Sequence, residues 1–142
     1  MGNFQTKINI NKINFEDVQN CINSNTNNII LLNTLPTTKQ SCLIYNTLNY
    51  LDEEHVVNTI INNNKSMSIY IYGLNYADST VYNKYDQLCA LGLENVYIYP
   101  GGLFEWLLLQ DIYGGDNFKT TSDTLDILQF KPTQNTNYKS IT

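Results

Sequence analysis

Two short runs that alternate a β-branched residue with tyrosine constrain the fold of this chain more than any other feature. Residues 69–72 read Ile-Tyr-Ile-Tyr and residues 96–99 read Val-Tyr-Ile-Tyr, an alternation that is typical of β-strands. Between the two runs, Val81, Tyr85 and Leu88 recur at the spacing of one helical face. The order strand, helix, strand predicts two adjacent parallel strands joined by a crossover helix, and therefore an α/β domain.

The alternation of strand and helix patterns extends over residues 8–113. Residues 29–32 form a continuous apolar run, which indicates a strand covered on both faces. Asn14, followed by Asp17 three positions later, is typical of a helix N-cap. The other predicted elements are short strands at residues 8–10 and 42–45, a helix with Asp52 in its first turn, and an unusually apolar helix at residues 103–113 that is buried or meets a partner.

The composition of the chain argues against several classes of function. The chain has 142 residues, which fits one domain, and it includes 22 Asn but no Arg, with a net charge of −5. Without the arginine fork that recognises phosphate and guanine, nucleic-acid binding is not expected. No apolar run reaches the roughly 18 residues of a membrane span, and the chain start lacks the pattern of a secretory signal.

The cysteines predict no metal or cofactor site. Cys21, Cys42 and Cys89 are widely spaced, and the sequence has neither a CxxC motif nor a Cys/His cluster. His55 has no partner His or Cys nearby and is expected at the surface. Three unpaired thiols are typical of a reduced, cytoplasmic protein.

The amino-terminal residues match a lipidation signal. Residues 1–6 read Met-Gly-Asn-Phe-Gln-Thr, which fits the pattern in which Gly2 is myristoylated after Met1 is removed. A single myristoyl chain binds membranes weakly and reversibly, and Lys7 and Lys12 are the only nearby basic residues. We therefore expect a switchable, peripheral attachment to membranes.

The regular patterns end at Gly114-Gly115. Residues 125–130 then form one more apolar cluster, which packs on its own domain or on a partner, and the residues after Pro132 have too little apolar content to fold. We predict a lipidated segment at residues 1–6, a domain at 7–118, a C-terminal apolar segment at 119–131 and a disordered tail at 132–142.

The order of motifs resembles the rhodanese-like domain family over roughly residues 7–113. The features that carry the resemblance are the predicted strands at 29–32 and 69–72, the Leu-Gly-Leu-Glu-Asn-Val segment at 91–96, and Gly101-Gly102 followed by Trp106. The family implies an α/β fold of three layers (α/β/α) with a central, mostly parallel five-stranded sheet. It also implies a persulfide-carrying cysteine in the loop after the strand at 69–72, where backbone N–H groups and a helix N-terminus hold an anion.

The corresponding loop in this chain has no cysteine, arginine or lysine. The family's cysteine position falls on Gly73 if the strands are aligned, or on Asn75 if the downstream glycines are aligned. The family's common Asp-x-Arg after the strand at 29–32 is replaced by Asn-Thr-Leu at 33–35. The degenerate loop consists of Gly73, Leu74, Asn75, Tyr76, Ala77, Asp78, Ser79 and Thr80.

Asp78 lies just before the predicted helix, where a carboxylate is suited to cap the first helical amides. One interpretation is that Asp78 thereby occupies or repels the site of an anionic sulfur donor. The other is that it is an ordinary helix cap with no bearing on ligands.

These observations predict a catalytically inactive rhodanese-like interaction or scaffold module with no cofactor. Its contact surface is the degenerate loop, with Leu74 and Tyr76 as apolar anchors, and its partner is a protein that the sequence does not name. Two alternatives stay open. One is a sulfurtransferase or phosphatase-like enzyme with a non-standard site; the other is a structural subunit, for example of a large DNA virus particle, since AT-rich genomes favour this composition.

Overall fold

A computed structural model describes residues 9–24, 28–63, 66–134 and 136. The strands of this part are β1 (Ile29–Asn33), β2 (Ser68–Tyr72) and β3 (Val96–Ile98). The helices are α1 (Phe15–Asn23), α2 (Glu53–Asn63), α3 (Ser79–Ala90) and α4 (Gly102–Tyr113), and short 3₁₀ turns lie at Thr37–Lys39, Tyr50–Asp52 and Ile127–Phe130. Gly2 and the predicted lipidation segment lie outside the described residues. None of the described helices has the length and apolar character needed to cross a membrane.

The three strands form a parallel sheet in the order β1-β2-β3. In its register, Tyr70 of β2 lies between Leu31 of β1 and Tyr97 of β3. The two Tyr-alternating runs are therefore adjacent parallel strands with α3 between them in the chain, as the sequence predicts.

Helices cover both faces of the sheet. On one face, Trp106 of α4 and Val18 of α1 pack with Tyr72 in a cluster of buried residues. On the other face, Ile71 packs with buried residues of α2 and α3, among them Val57. Neighbouring strand residues such as Ile71 and Tyr72 point to opposite clusters, because successive side chains in a strand alternate between faces. The three-layer α/β/α arrangement is thus confirmed.

The sheet is narrower than predicted. The described residues form three strands rather than five, and single bridges stand where the two outer strands were expected. Lys12 makes a single parallel bridge to Ile98 beside β3, and Thr47 makes one to Leu31 beside β1. Residues 9 and 10 of the strand predicted at 8–10 form no strand: the pairing with β3 is limited to the bridge at Lys12, and Asn14 then caps α1. Ile8 itself lies outside the described residues.

The strand predicted at residues 42–45 is also wrong. Ile44 makes only an isolated antiparallel bridge, to Thr120 near the C-terminus. Asn46 then adopts a left-handed conformation with φ 74°, and the Thr47 N–H donates to the Ile44 carbonyl. This turn interrupts the extended backbone before a ladder can form.

Local sequence signals position the helices as predicted. The Asn14 side chain accepts hydrogen bonds from the N–H groups of Glu16 and Asp17, and the Asp17 carboxylate accepts from the Asn14 N–H. After α3, Gly92 takes φ 96°, which allows the chain to turn toward β3. The apolar helix α4 buries one face through Trp106, which has no exposed surface, whereas Ile112 and Tyr113 near its end are exposed.

The segment after α4 packs against its own domain. The Trp106 indole N–H donates to the Lys119 carbonyl at 3.0 Å, and Phe130 is buried in the same cluster as Trp106. The other apolar side chains of this segment contribute less, because Leu125 is fully exposed and Leu128 is largely exposed. Residues 132–134 have no helix or strand, and most of the predicted disordered tail lies outside the described residues.

Candidate functional site

The candidate site is the loop that follows β2 and leads into α3, residues 73–80, called here the site loop. In parallel sheets, ligands bind in the crevice outside the carboxyl ends of the strands. The end of β1 lies beside this loop: the Thr34 N–H donates to the Tyr72 carbonyl at 2.9 Å, and the hydroxyl oxygens of Thr34 and Thr80 lie 2.9 Å apart. The sheet therefore holds the site loop at the position where this architecture places ligands.

The Asp78 carboxylate closes the site loop from within. Its Oδ2 atom accepts the Leu74 N–H at 2.8 Å, at the start of the loop. Its Oδ1 atom accepts the Thr80 N–H at 3.0 Å and the Thr80 hydroxyl at 2.6 Å, at the start of α3. Asp78 is therefore more than a helix cap, because the same carboxylate also binds an amide at the opposite end of the loop.

Gly73 faces this carboxylate. A Cβ atom at residue 73 would lie less than 3.0 Å from side-chain atoms of Asp78, Val81 and Thr34. Gly73 is one of the two positions at which the resemblance implies a cysteine. The space into which that side chain would extend is thus filled by other side chains.

Asn75, the alternative cysteine position, is buried and forms hydrogen bonds through both its side-chain oxygen and its side-chain nitrogen. Its Oδ1 atom accepts the Ala77 N–H at 2.9 Å, and its Nδ2 atom donates to the Phe130 carbonyl at 2.9 Å. Neither alignment therefore places a nucleophile in the site loop.

The N-terminus of α4 supports the site loop through its backbone. The N–H groups of Leu103 and Phe104 donate to the carbonyls of Gly73 and Leu74, both at 2.9 Å. Gly102 makes this approach feasible: it has φ 69°, and a Cβ atom there would lie 2.8 Å from the Gly73 carbonyl oxygen. Two amides of this helix terminus are thus bonded to protein carbonyls.

The thiols of the chain do not replace the missing cysteine. Cys21 and Cys42 are buried and Cys89 is exposed near the end of α3, so none lies in the site loop. Burial raises the pKa of each of the three thiols above its ordinary value. A raised pKa lowers the thiolate fraction, and the thiolate is the reactive form.

A neighbouring cleft was not predicted from the sequence. It has a volume of about 790 Å³ and lies between α2 and α3, next to Thr34 and Thr80. Its cation, Lys84, forms an ion pair with Glu53. The packing of α2 and α3 side by side on one face of the sheet creates this cleft, and no local motif marks it. Across the described residues, no cluster of His, Cys, Asp or Glu is suited to a metal ion.

The two predicted apolar anchors differ in exposure. Leu74 is half-buried and packs against the core, whereas Tyr76 is 70% exposed. Beside Tyr76 is a depression of about 530 Å³ between the site loop and the C-terminal residues Pro132 and Thr133. Tyr76 is therefore the apolar side chain of the loop that is accessible from outside.

Comparison with known proteins identifies the fold. No protein-family model matches the sequence, and no curated protein matches it. Among solved structures, the rhodanese-like domain of the Alr3790 protein from Anabaena superimposes with a TM-score of 0.57 at 19% identity, covering 92% of this chain and 91% of that domain. A crystal structure of the Alr3790 protein gives a TM-score of 0.57 at 19% identity over 82% of this chain and 86% of that one.

A third similar structure is the single-domain sulfurtransferase RDL2 from Saccharomyces cerevisiae. It superimposes with a TM-score of 0.51 at 17% identity, covering 82% of this chain and 99% of that chain. These likenesses, together with the parallel sheet between two helical layers, show that the chain has a rhodanese-like fold.

Proposed function

We propose that this rhodanese-fold chain does not transfer sulfur and acts as a protein-binding module through its site loop. The observation that carries the proposal is the position of the Asp78 carboxylate, which accepts hydrogen bonds from Leu74 and Thr80 at both ends of the loop. An anionic sulfur donor would have to displace this carboxylate and would meet its negative charge.

The chemistry of the remaining groups supports the loss of activity. A persulfide carrier needs a thiolate, and the site loop offers Gly73 and Asn75 at the two candidate positions. The loop also has no lysine or arginine to attract an anion. The fold therefore keeps the platform of a sulfur-transfer site without the groups that perform the reaction.

The exposed aromatic side chain supports a binding role. Tyr76 is 70% exposed at the tip of a loop whose backbone is held by α4 and by Asp78. Tyrosine on a rigid loop is favoured at protein interfaces, because it offers a large contact area at a low entropic cost. The 530 Å³ depression beside Tyr76 provides room for side chains of a partner.

An activity assay tests the first half of the proposal. We expect no formation of thiocyanate from thiosulfate and cyanide, and no hydrolysis of a phosphatase substrate, above the rate without enzyme. An active sulfurtransferase serves as the positive control. Turnover that co-purifies with the folded chain would refute the loss of activity.

Site-specific crosslinking tests the second half. A photoreactive phenylalanine analogue replaces Tyr76 in one variant and Tyr113 in a matched control, because Tyr113 is similarly exposed, at 62%, but lies at the end of α4. We expect a specific protein adduct from position 76 that excess unlabelled protein competes away. Equal labelling from both positions would contradict a role for the site loop.

Lipidation of Gly2 would bring such a module to membranes. Where Met1 is the initiator, the motif at residues 1–6 predicts myristoylation of Gly2 and weak, reversible binding to vesicles. Mass spectrometry of protein made in a eukaryotic host checks the modification, with Gly2→Ala as the control. An unmodified or acetylated amino terminus would contradict it.

A further inference from the structure

We propose that residues 123–134, called here the C-terminal strap, form a regulatory strap that Phe130 latches against one side of the site loop. The proposal rests on the proposed function, because the depression that the strap lines borders the surface assigned to partner binding. In this view the chain has a closed state, in which the strap keeps a partner from the side of the loop around Asn75 while Tyr76 stays exposed, and an open state in which the depression loses its strap wall.

The latch consists of one aromatic side chain and the groups around it. Phe130 is only 3% exposed, although it belongs to a short 3₁₀ turn near the end of the described chain. Its carbonyl accepts a hydrogen bond from the buried Asn75 amide at 2.9 Å. The Lys39 ammonium lies 5.5 Å from the centroid of the Phe130 ring, a distance suited to a cation–π interaction, and also donates to Gln129.

The residues after the latch lie against the site loop. Pro132 and Thr133 form one wall of the 530 Å³ depression, and residues 74–79 form the other. Docking of Phe130 therefore determines whether the side of the loop that faces the depression is lined by the strap or is open. The Asn75 side chain links the two parts directly, because it bonds both the loop amide of Ala77 and the strap carbonyl of Phe130.

Apart from Phe130 and the partly buried Ile127, which also packs against the core, the strap is weakly attached. The chain before it is fixed by the Thr121 N–H, which donates to the Leu43 carbonyl at 2.8 Å, and by the Ser122 hydroxyl, which donates to the Ser41 carbonyl at 2.7 Å. From 123 to 134, all described, no backbone-to-backbone hydrogen bond joins the strap to the rest of the domain. Leu125 and Leu128 are exposed. Undocking of Phe130 can thus free the strap without breaking the sheet.

Hydrogen exchange of the full-length chain, followed by mass spectrometry, tests the strap without a partner. We expect Phe130→Ala to increase amide exchange at the hydrogen-bonded strap amides of Gln129 and Lys131 and in residues 74–78 on the order of a hundredfold, while β1, β2 and β3 keep their protection. Leu128→Ala, in the same 3₁₀ turn but with an exposed side chain, should leave exchange unchanged. A uniform increase that includes the strands would show that Phe130 is an ordinary core residue and would overturn the proposal.

A second variant covers the case in which Phe130→Ala does not fold. Lys39→Ala removes the contacts to the Phe130 ring and to Gln129 without removing a buried side chain, so we expect the same regional increase at a few-fold level. Unchanged exchange in every variant of Phe130 or Lys39 that folds would overturn the latch. Photo-crosslinking at Tyr76 in these variants then separates the two proposals, because an open strap without partner capture would refute the binding function and leave the latch standing.

Discussion

The Oδ2 atom of Asp78 lies 2.8 Å from the backbone nitrogen of Leu74, so a side chain at the end of the site loop holds the amide at its beginning. The same carboxylate caps α3 through the Thr80 N–H. The conformation of the loop therefore depends on a negative group that the chain itself supplies, at the edge of the sheet where parallel α/β folds bind ligands.

Removal of this carboxylate should destabilise the protein. We expect Asp78→Ala to lower the free energy of unfolding by about 1–2 kcal/mol, because the loss of the cap also leaves the Leu74 and Thr80 amides without their acceptor. Asp86→Ala, a change at an exposed position of the same helix, should cost less than about 0.5 kcal/mol. Urea denaturation measures both, and equal losses would mean that the carboxylate contributes nothing specific to the loop.

Restoring a cysteine at residue 73 should not restore sulfur transfer. The new Cβ atom would clash with Asp78, Val81 and Thr34, so we expect Gly73→Cys to be destabilised by about 1–3 kcal/mol and to remain inactive. Gly73→Ala is the matched control, because it introduces the same Cβ atom without a thiol. Thiocyanate formation by a stable Gly73→Cys protein would show that the loop is still competent for catalysis.

Gly102 should be intolerant of any side chain. Its φ of 69° and the closeness of the Gly73 carbonyl and the Asn75 amide mean that a Cβ atom is both strained and obstructed by backbone. We expect Gly102→Ala to cost more than about 2 kcal/mol and to loosen the site loop, as detected by thermal unfolding and hydrogen exchange. At Gly115 the nearest atom to such a Cβ is 3.9 Å away, so Gly115→Ala should be nearly neutral. Similar losses from the two variants would contradict this account.

Alkaline pH should unfold the protein through its buried tyrosines. Burial raises the pKa of the Tyr72 phenol above its ordinary value, and burial together with a hydrogen bond to Glu105 raises the pKa of Tyr99. Tyrosines of the unfolded chain ionise near pH 10, so above that pH the unfolded state binds fewer protons than the folded one. Stability is then retained below about pH 10 and falls by about 1.4 kcal/mol per pH unit for each such tyrosine.

Denaturation midpoints between neutral and alkaline pH measure this slope. Tyr72→Phe should reduce the alkaline slope by about one proton, although it costs stability at neutral pH because the Ile44 amide loses its acceptor. The change Tyr45→Phe at an exposed position serves as the control. An unchanged slope in Tyr72→Phe would show that this phenol does not govern the alkaline transition.

The central elements of the fold could be predicted because their signals are local. Asn14 and Asp17 mark the beginning of α1, and the alternation of Ile and Tyr marks β2, without reference to distant residues. The sheet edges could not be predicted in this way. Ile44 pairs with Thr120, which lies far along the chain, and the left-handed turn at Asn46 has no strong local signal.

In the candidate site, too, the features with local sequence signals could be predicted and the features that depend on tertiary contacts could not. Its location followed from the order of motifs, and the capping role of Asp78 followed from its place before α3. The bond from Asp78 back to Leu74 and the bond from Asn75 to Phe130 depend on how the chain folds back on itself. Such tertiary contacts decide whether the loop is open or filled, and no short sequence pattern encodes them.

The single-residue bridges at the two sides of the sheet limit how this protein can associate. Lys12 covers β3 and Thr47 covers β1 at one position each before the chain turns away, so neither outer strand presents a long ladder of free amides. A segment such as residues 68–72, with its high β propensity, would be prone to aggregate if exposed, but it is the middle strand. Short outer strands that are bridged in this way offer less backbone for edge-to-edge pairing of copies than a long, uncovered strand would.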